Sequence, residues 1–245
     1  MENKVVLVTG GSRGIGRSIC ETLAERGCTV IFTYLSNEEK AQALAAEIRE
    51  KGQKAFAYYC DMSDLKSVVA FSAKIRKEYG NFDALVNNAG ILGDGKPFLM
   101  SADDHWWNVM KTNIGSVTNT CRAVVPQMIA QKKGRIVNIT SVSGQKGNPG
   151  QSAYSASKSA IVTFSKALAK EVGRFGVVVN CVSPGLIETD MTKNISNEYV
   201  SARSQFSALT RKGEVQEVAS LVSYLICDAP EYIVAQELTI DGGLV

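Results

Sequence analysis

Apolar runs of strand length alternate with helix-patterned segments along most of the chain. The runs lie at residues 5–9, 29–34, 55–60, 84–87, 135–140, 177–181 and 237–240. Helix patterns at 14–27, 37–51 and 63–79 separate the first four runs, and a glycine closes each of them. Strands joined by helices pair in parallel and are covered on both faces, so the alternation predicts a doubly wound α/β sheet. No linker interrupts it, and we expect the 245 residues to form a single domain.

The charge balance, the cysteines and the single histidine exclude several classes of protein. The chain has 27 Lys and Arg against 24 Asp and Glu, and a formal charge of +3 is too small to indicate nucleic-acid binding. The six cysteines are scattered without a C-x-x-C pair, and one histidine, His105, cannot build a multi-histidine metal site. No apolar run reaches the ~20 residues of a membrane span, and the first run is too short for a signal peptide. We therefore expect a cytoplasmic protein without a metal, a nucleic-acid partner or a membrane anchor.

Two segments are predicted to have roles beyond the hydrophobic core, one as a subunit interface and one as a lid. The helix pattern at 151–174 is apolar over a wider arc than one core-facing stripe requires, which favours a subunit interface over a covering loop. Residues 190–213 are the most polar long stretch without a clear period. Within a compact domain such a stretch indicates a mobile lid over a site.

A glycine-rich turn, Thr9-Gly-Gly-Ser-Arg-Gly-Ile-Gly16, follows the first run and opens the first helix pattern. Its glycines at 10, 14 and 16 let the backbone turn sharply and approach a pyrophosphate, which then binds at the helix N-terminus. A plain strand-to-helix turn is the alternative interpretation. The position directly after an N-terminal strand favours a dinucleotide site.

The end of the second run indicates which dinucleotide binds. NAD sites usually carry Asp or Glu there to hold the ribose hydroxyls, whereas residues 32–37 contain no carboxylate and the first one is Glu38. Arg13, inside the glycine loop, is placed to meet a 2′-phosphate, unless it is a solvated loop residue. The missing acid and the arginine together predict NADP(H). Asp61, after the third run, either accepts a hydrogen bond from the adenine amino group or caps the helix that begins near Ser63.

Ser141, Tyr154 and Lys158 form the sharpest candidate catalytic group. Tyr154 and Lys158 are four residues apart in a helix pattern, so both project from one face. A phenol with an ordinary pKa of about 10 transfers protons poorly at neutral pH. A nearby ammonium, together with the positive charge of an oxidised nicotinamide, would lower that pKa. Ser141, at the end of the fifth run, could hydrogen-bond the same substrate oxygen. A Tyr–Lys pair alone is more often a surface-helix feature, but beside the glycine loop it indicates an active site.

The chain resembles the short-chain dehydrogenase/reductase family from residue 5 to residue 243. Besides the loop, Ser141 and the Tyr–Lys pair, the resemblance rests on Asn87-Asn-Ala-Gly90, on Asn113 in Lys111-Thr-Asn-Ile-Gly and on Pro184-Gly185. It implies a Rossmann fold and a catalytic tetrad of Asn113, Ser141, Tyr154 and Lys158. In that tetrad Asn113 holds a water that relays protons through Lys158, and Lys158 also holds the nicotinamide ribose. Ile187 and Thr189 are implied to contact the nicotinamide carboxamide. The implied NADP(H) contacts are Gly10, Ser12, Arg13, Gly14, Ile15, Gly16, Asp61, Met62, Asn88, Ala89, Gly90, Tyr154, Lys158, Pro184, Gly185, Ile187 and Thr189.

Within the family, residues 150–158 and 185–192 are most similar to reductases of 3-oxoacyl thioesters on acyl carrier protein. That resemblance implies NADPH-dependent reduction of such a thioester in fatty-acid or polyketide-like synthesis. It also implies a homotetramer with contacts through residues 151–174 and 237–240. An acidic carrier would dock on a basic surface, for which a solvated face is the alternative interpretation. The candidate docking residues are Lys132, Lys133, Lys166, Lys170 and Arg174.

Two departures from those reductases bear on substrate and assembly. Before Gln236 this chain reads Tyr232-Ile-Val-Ala235, where the reductases commonly carry Thr-Gly, and the stretch 93–107 holds two tryptophans. The alternative function is a short-chain dehydrogenase acting on acetoacetyl-CoA, a steroid, a sugar or another small ketone or alcohol. A non-catalytic NADP-binding subunit is a remote alternative, because the predicted tetrad is intact.

Overall fold

Parallel strands form one sheet in the order β3-β2-β1-β4-β5-β6-β7 in a computed structural model of the chain, which describes residues 3–189 and 207–245. The strands are β1 (Val5–Val8), β2 (Thr29–Tyr34), β3 (Lys54–Tyr59), β4 (Ala84–Asn87), β5 (Gly134–Ile139), β6 (Val177–Pro184) and β7 (Glu237–Ile240). Every neighbouring pair in this sheet is parallel. The predicted doubly wound, single-domain α/β architecture is confirmed, and β6 runs on to Pro184, beyond the predicted end at residue 181.

Helices cover both faces of the sheet. They are α1 (Gly14–Glu25), α2 (Glu38–Glu50), α3 (Leu65–Tyr79), α4 (Asp103–Ala130), α5 (Ser143–Lys146), α6 (Ser152–Val172) and α7 (Val215–Cys227). On one face α1, α2 and α7 pack through Leu23, Leu44 and Val222. On the other face α3, α4 and α6 contribute Phe71, Val124 and Ile161 to a second cluster. Because both faces are covered, β1, β2, β4 and β6 are buried along their whole length, as parallel strands usually are.

The strand order reverses between β1 and β4. The chain leaves β3 at one edge of the sheet and returns to its middle to form β4 beside β1. In such sheets a ligand binds in the crevice at the carboxyl ends of the strands where the order reverses. The turns that follow β1 and β4 meet at this point, since the Thr9 hydroxyl accepts hydrogen bonds from the backbone N–H groups of Asn88 and Ala89, both at 3.0 Å.

The predicted lid at 190–213 is described in part. Its residues 190–206 lie outside the described residues, so the lid remains a prediction. The stretch 207–213 is held by backbone hydrogen bonds: Gly213 donates to Leu186 and accepts from Glu188, each at 2.9 Å, and Leu209 donates to Gly242 at 3.1 Å. Among the described residues, no helix combines the length and the apolar character needed to cross a membrane. The same part of the chain brings no three metal-binding side chains together.

Candidate active site

A cleft of about 370 Å³ opens at the carboxyl edge of the sheet, at the switch point between β1 and β4. Every residue predicted from the sequence to contact the cofactor lines it, together with Ser141. Those residues come from separate parts of the chain: the glycine loop, the turns after β3 and β4, helix α6 and the segment after β6. The fold therefore brings together side chains that are up to 179 positions apart, from Gly10 to Thr189.

The glycine loop lets its own backbone come close to a bound ligand, because its glycines carry no side chain. Gly10 and Gly14 have φ angles of +66° and +52°, in the left-handed region that favours glycine. A Cβ at Gly16 would collide with the Gly10 carbonyl oxygen and lie 2.5 Å from the Asn88 side-chain nitrogen. That nitrogen donates to the carbonyls of Thr9 and Gly10 at 3.0 and 2.9 Å, so the predicted Asn87-Asn-Ala-Gly90 turn braces the loop.

The N-terminus of α1 faces the cleft without a side-chain cap. Arg13 occupies the N-cap position in an extended conformation, and no side chain among the described residues accepts a hydrogen bond there. The first turn of α1 carries no acidic residue, and Gly14, Ile15 and Gly16 line the cleft. Free N–H groups and the positive end of the helix dipole attract an anion, so this end fits the pyrophosphate of a dinucleotide.

The adenosine end of the cleft carries a cation and lacks a carboxylate from β2. Residues 33–37 line the cleft, and Arg13 is exposed beside them with no ion-pair partner in the described part of the chain. The first carboxylate after β2, Glu38, interacts with the phenol of Tyr34, and burial together with this contact raises the pKa of that phenol. These residues fit a 2′-phosphate better than a free ribose hydroxyl pair, which usually binds a carboxylate.

Asp61 lies in the cleft wall and does not cap a helix. Its Oδ1 accepts hydrogen bonds from the backbone N–H and the hydroxyl of Ser63, at 2.9 and 2.8 Å. Helix α3 begins at Leu65, and its N-cap is Asp64, whose carboxylate accepts from the N–H groups of Lys66 and Ser67. The capping alternative for Asp61 is therefore wrong, and the adenine contact remains a prediction for this residue.

Ser141, Tyr154 and Lys158 converge at the other end of the cleft. Ser141 follows β5, and its hydroxyl accepts a hydrogen bond of 3.1 Å from the Ser143 N–H. The phenol of Tyr154 on α6 lies beside Ser141 in the cleft wall, close enough for Ser141 to act on its pKa. Lys158, one turn later on α6, is 4% exposed and donates a hydrogen bond of 2.8 Å to the Ile139 carbonyl at the end of β5. The predicted catalytic group is thus assembled from one strand end and one helix.

Desolvation sets the direction of both pKa shifts in this group. Burial raises the pKa of Tyr154, and Ser141 opposes that shift in part. Burial lowers the pKa of Lys158 to about 8. The lowering of the phenol's pKa expected from the ammonium together with an oxidised nicotinamide remains a prediction. Because its pKa is raised, Tyr154 is protonated at neutral pH and can donate a proton.

Asn113 lies behind the cleft wall. Its side chain is fully buried: Oδ1 accepts from the Ile91 N–H at 2.8 Å, and Nδ2 donates to the Ile91 carbonyl and the Ser157 hydroxyl at 3.0 and 2.9 Å. A Cβ at Gly90 would lie 3.1 Å from Asn113 Oδ1 and 3.6 Å from Lys158 Nζ, so Asn113 and Lys158 approach each other behind this glycine. The structure thus groups the four predicted tetrad residues, and the water-holding role of Asn113 remains a prediction.

Several cleft residues were not anticipated from the sequence, among them Ile91, Thr112, Gln151 and Leu244. Leu244 is the most distant of these in the chain. It lines the cleft because Asp241 accepts backbone hydrogen bonds from Gly243 at 2.9 Å and from Leu244 at 3.1 Å, which turns the chain back. The ammonium of Lys146 on α5 also donates to the Leu244 carbonyl. No local motif predicts this position, since it depends on contacts between segments about 100 positions apart.

The five candidate docking cations are all exposed, and they are not at the mouth of the cleft. Lys132 and Lys133 precede the first residue of β5, and Arg174 precedes that of β6. These are the amino ends of the strands, whereas the cleft lies at the carboxyl ends. A six-residue strand spans about 20 Å, so this surface is separated from the cleft by roughly that distance.

Comparison with known proteins agrees with this geometry. The sequence model of the family described as short chain dehydrogenase matches residues 4–200. The chain is 42% identical over 243 residues to the 3-oxoacyl-(acyl-carrier-protein) reductase FabG of Chlamydia muridarum, covering 99% of this chain and 97% of that protein. It is 40% identical over 244 residues to the protein of the same name from Haemophilus influenzae, covering 100% and 99%. The crystal structure of gox2181 is similar with a TM-score of 0.96 at 31% identity, covering 100% of this chain and 96% of that one.

Proposed function

The chain belongs to the short-chain dehydrogenase/reductase family, and on that premise we propose that it is an NADPH-dependent ketoreductase. Its substrate is a 3-oxoacyl thioester on acyl carrier protein, and its product is the 3-hydroxyacyl thioester, in fatty-acid or related polyketide-like synthesis. The proposal rests on the convergence of Ser141, Tyr154 and Lys158 beside an uncapped, glycine-lined helix N-terminus. Relatives named for this reaction align with nearly the whole chain, which supports the choice of substrate.

The cofactor assignment follows from what the cleft offers an anionic dinucleotide. The glycine loop and the start of α1 would hold the pyrophosphate, Arg13 the 2′-phosphate, and Lys158 the nicotinamide ribose. The segment from Pro184 to Thr189 lines the same cleft, and its Pro184 carbonyl accepts a hydrogen bond of 3.1 Å from the N–H of Val142, next to Ser141. This segment would contact the nicotinamide. NADPH, when bound, supplies the hydride that reduces the 3-oxo carbon.

The chain's own residues supply the proton and stabilise the oxygen. As the carbonyl oxygen gains negative charge, the Tyr154 hydroxyl donates its proton to it, and the Ser141 hydroxyl donates a hydrogen bond. Both interactions are stronger in the transition state than in the ground state, which is the condition for catalysis. The raised pKa of Tyr154 keeps the phenol protonated, as this direction of reaction requires.

Lys158 places positive charge beside the proton donor. The β5 carbonyl of Ile139 fixes its ammonium, which is therefore held in position before any ligand arrives. A charge with few hydration waters acts strongly on its neighbours, so it stabilises the phenolate that remains after proton transfer. The implied relay through Asn113 would then return a proton to Tyr154.

The test of this function is a substrate panel assayed by NADPH oxidation. A short 3-oxoacyl group is presented on acyl carrier protein and on coenzyme A, beside steroid, sugar and simple ketone substrates. We expect the highest kcat/KM with the carrier-linked thioester. A higher value with the coenzyme A thioester or with another ketone would transfer the assignment to that substrate, and no oxidation with any of them would favour a non-catalytic subunit.

We further propose a homotetramer assembled through α6 and β7. Four of the apolar residues on the wide arc of α6, Ala156, Ala160, Phe164 and Leu168, are only partly buried within the protomer, and Ala167 is exposed. Strand β7 pairs with β6 along one edge, and its other edge faces no strand of the described sheet. A second copy would cover both surfaces. Light scattering at micromolar concentration is expected to give four times the protomer mass, and a monomer would contradict the proposal.

The docking surface and the location are part of the same proposal. An acidic carrier bound to the basic surface of Lys132, Lys133, Lys166, Lys170 and Arg174 would reach the cleft through its extended thioester arm.

The cytoplasmic location expected from the sequence is supported by the six cysteines, which are all free thiols.

A further inference from the structure

Two chain segments are clamped together at the amino edge of the sheet, opposite the cleft. Arg26, which follows α1, donates charged hydrogen bonds of 2.6 and 2.8 Å to the two carboxylate oxygens of Asp228, which follows α7. Lys4, just before β1, donates to the Ile226 carbonyl at 2.8 Å, and its own carbonyl accepts from Thr29 at 2.8 Å. These contacts fix the start of β2 against the end of α7.

The clamped segments carry Cys28 and Cys227. Cys28 is 1% exposed and Cys227 is partly exposed, and both belong to the same apolar cluster under α1 and α7. Each thiol is the group that acts most strongly on the pKa of the other, and the bonds Arg26–Asp228 and Lys4–Ile226 hold the residues beside both cysteines together. The charged groups that act on the pair are the cations Lys4 and Arg26, opposed by Asp228.

The environment distinguishes Cys227 from the other cysteines. The Cys28 thiol, with the two cations, lowers the pKa of Cys227, and Cys227 in turn raises the pKa of Cys28. Burial raises the pKa of each of the others, Cys20, Cys60, Cys121 and Cys181. A partly exposed thiol with a lowered pKa beside cations, with a second thiol close by, is the arrangement found at redox-sensitive cysteines.

We propose that Cys28 and Cys227 form a site of reversible oxidation, which a peroxide converts into a disulfide between the residue before β2 and the last residue of α7. The Cys227 thiolate attacks one oxygen of hydrogen peroxide, the O–O bond breaks, and the released hydroxide takes up a proton to leave as water. The sulfenic acid formed on Cys227 is then attacked by the Cys28 sulfur, an S–S bond forms, and a second water leaves. Two thiols lose two electrons in total, and one peroxide gains them. A dithiol reductant reverses the reaction by thiol–disulfide exchange.

The experiment maps the thiols of the whole folded protein after treatment with hydrogen peroxide. Free thiols are alkylated in denaturant, and intact mass and peptides are measured. We expect the untreated protein to alkylate six cysteines, and the treated protein to alkylate four and to yield a linked Cys28–Cys227 peptide. The protein before alkylation should lose about 2 Da, and dithiothreitol should restore it. Alkylation of all six cysteines after treatment, or a disulfide between other cysteines, would overturn the proposal.

Single variants separate the two roles. In Cys28→Ser the sulfenic acid has no resolving thiol, so dimedone should trap an adduct on Cys227. In Cys227→Ser the buried Cys28 should stay unmodified, and Cys60→Ala is the control that keeps the disulfide. A dimedone adduct on Cys28 in Cys227→Ser would reverse the assigned roles. The wild-type mapping decides the proposal even if a variant fails to fold, because it requires no substitution.

Discussion

The ammonium of Lys158 lies 5.7 Å from the centre of the Tyr154 ring and donates its hydrogen bond to the carbonyl of Ile139, at 2.8 Å. Helix α6 places the two side chains one turn apart, and β5 supplies both the carbonyl and the neighbouring Ser141. The phenol lies beside Ser141, while the ammonium is held by the backbone. The proposed proton donor and the charge beside it are therefore positioned by different partners, and substitution can separate their contributions.

Tyr154→Phe removes one oxygen and leaves the ring, so packing should change little. Because the phenol is the proposed proton donor, we expect kcat to fall by at least about 100-fold. The Kd for NADPH should stay within a few fold of the wild-type value, since the loop, Arg13 and Lys158 are intact. Steady-state kinetics and fluorescence titration measure the two quantities. A variant that keeps more than about a tenth of the wild-type turnover would show that the proton comes from another group.

Arg13 is expected to set the preference for NADPH. The wild-type protein should bind NADPH at least about tenfold more tightly than NADH, which corresponds to ~1.4 kcal/mol. Arg13→Leu should lose most of that preference by weakening NADPH and leaving NADH unchanged. Arg17→Leu is the matched control, because Arg17 is already paired with Glu21 and Glu47, at 3.1 and 2.5 Å. Equal affinities for both cofactors in the wild-type protein would refute the assignment.

Lys158→Met is expected to change how stability depends on pH. The pKa of Lys158 is about 8 in the folded protein and higher when unfolded, so between these values the unfolded chain binds more protons. The contribution of Lys158 to the free energy of unfolding therefore increases as pH rises above 8. It decreases again as pH falls through 8. Between pH 7 and 10 the free energy of unfolding of the wild type should increase by about 2–3 kcal/mol more than that of Lys158→Met. Urea unfolding measures the difference, and parallel pH profiles for the two proteins would contradict it.

The double substitution Lys132→Glu with Lys133→Glu reverses charge on the proposed docking surface. We expect KM to rise at least about fivefold for the carrier-linked substrate, because an acidic partner is repelled. The same acyl group on coenzyme A should keep its KM, since the cleft is roughly 20 Å away. Lys40→Glu with Lys51→Glu, on and just after α2, is the control with the same change in net charge. An equal effect on both substrates would indicate damage to the cleft and not to docking.

Ala235→Gly is expected to stabilise the protein. Ala235 has a φ angle of +59°, a left-handed conformation that costs a residue with a Cβ about 1–2 kcal/mol. After the larger backbone entropy of unfolded glycine is subtracted, a gain of roughly 0.5–1 kcal/mol remains. Thermal and urea unfolding measure it, and a lower midpoint in the variant would mean that packing of the methyl group outweighs the backbone strain.

The local patterns of the sequence determined most of the sheet. The predicted strands at 29–34, 84–87 and 237–240 agree with β2, β4 and β7 to the residue, because short apolar runs between turn signals have one regular conformation available. The bounds of α4 were not predicted, although it is 28 residues long. Its buried face carries Asn113, Ser116 and Thr120, and Pro126 interrupts its interior, so the apolar period is weak.

The sequence by itself also determined which residues would form the site, since the glycine loop, the Tyr–Lys spacing and the missing carboxylate after β2 are short-range features. The tertiary structure decided the behaviour of those residues. Burial raises the pKa of Tyr154, Leu244 enters the cleft, and Cys28 lies close to Cys227 across 199 positions of the chain. The spacing of residues along the chain determines the local backbone conformation and the face of a helix or strand on which each side chain lies. Desolvation and contacts between distant segments depend on every atom that packs around a group, and those neighbours are known only once the chain has folded.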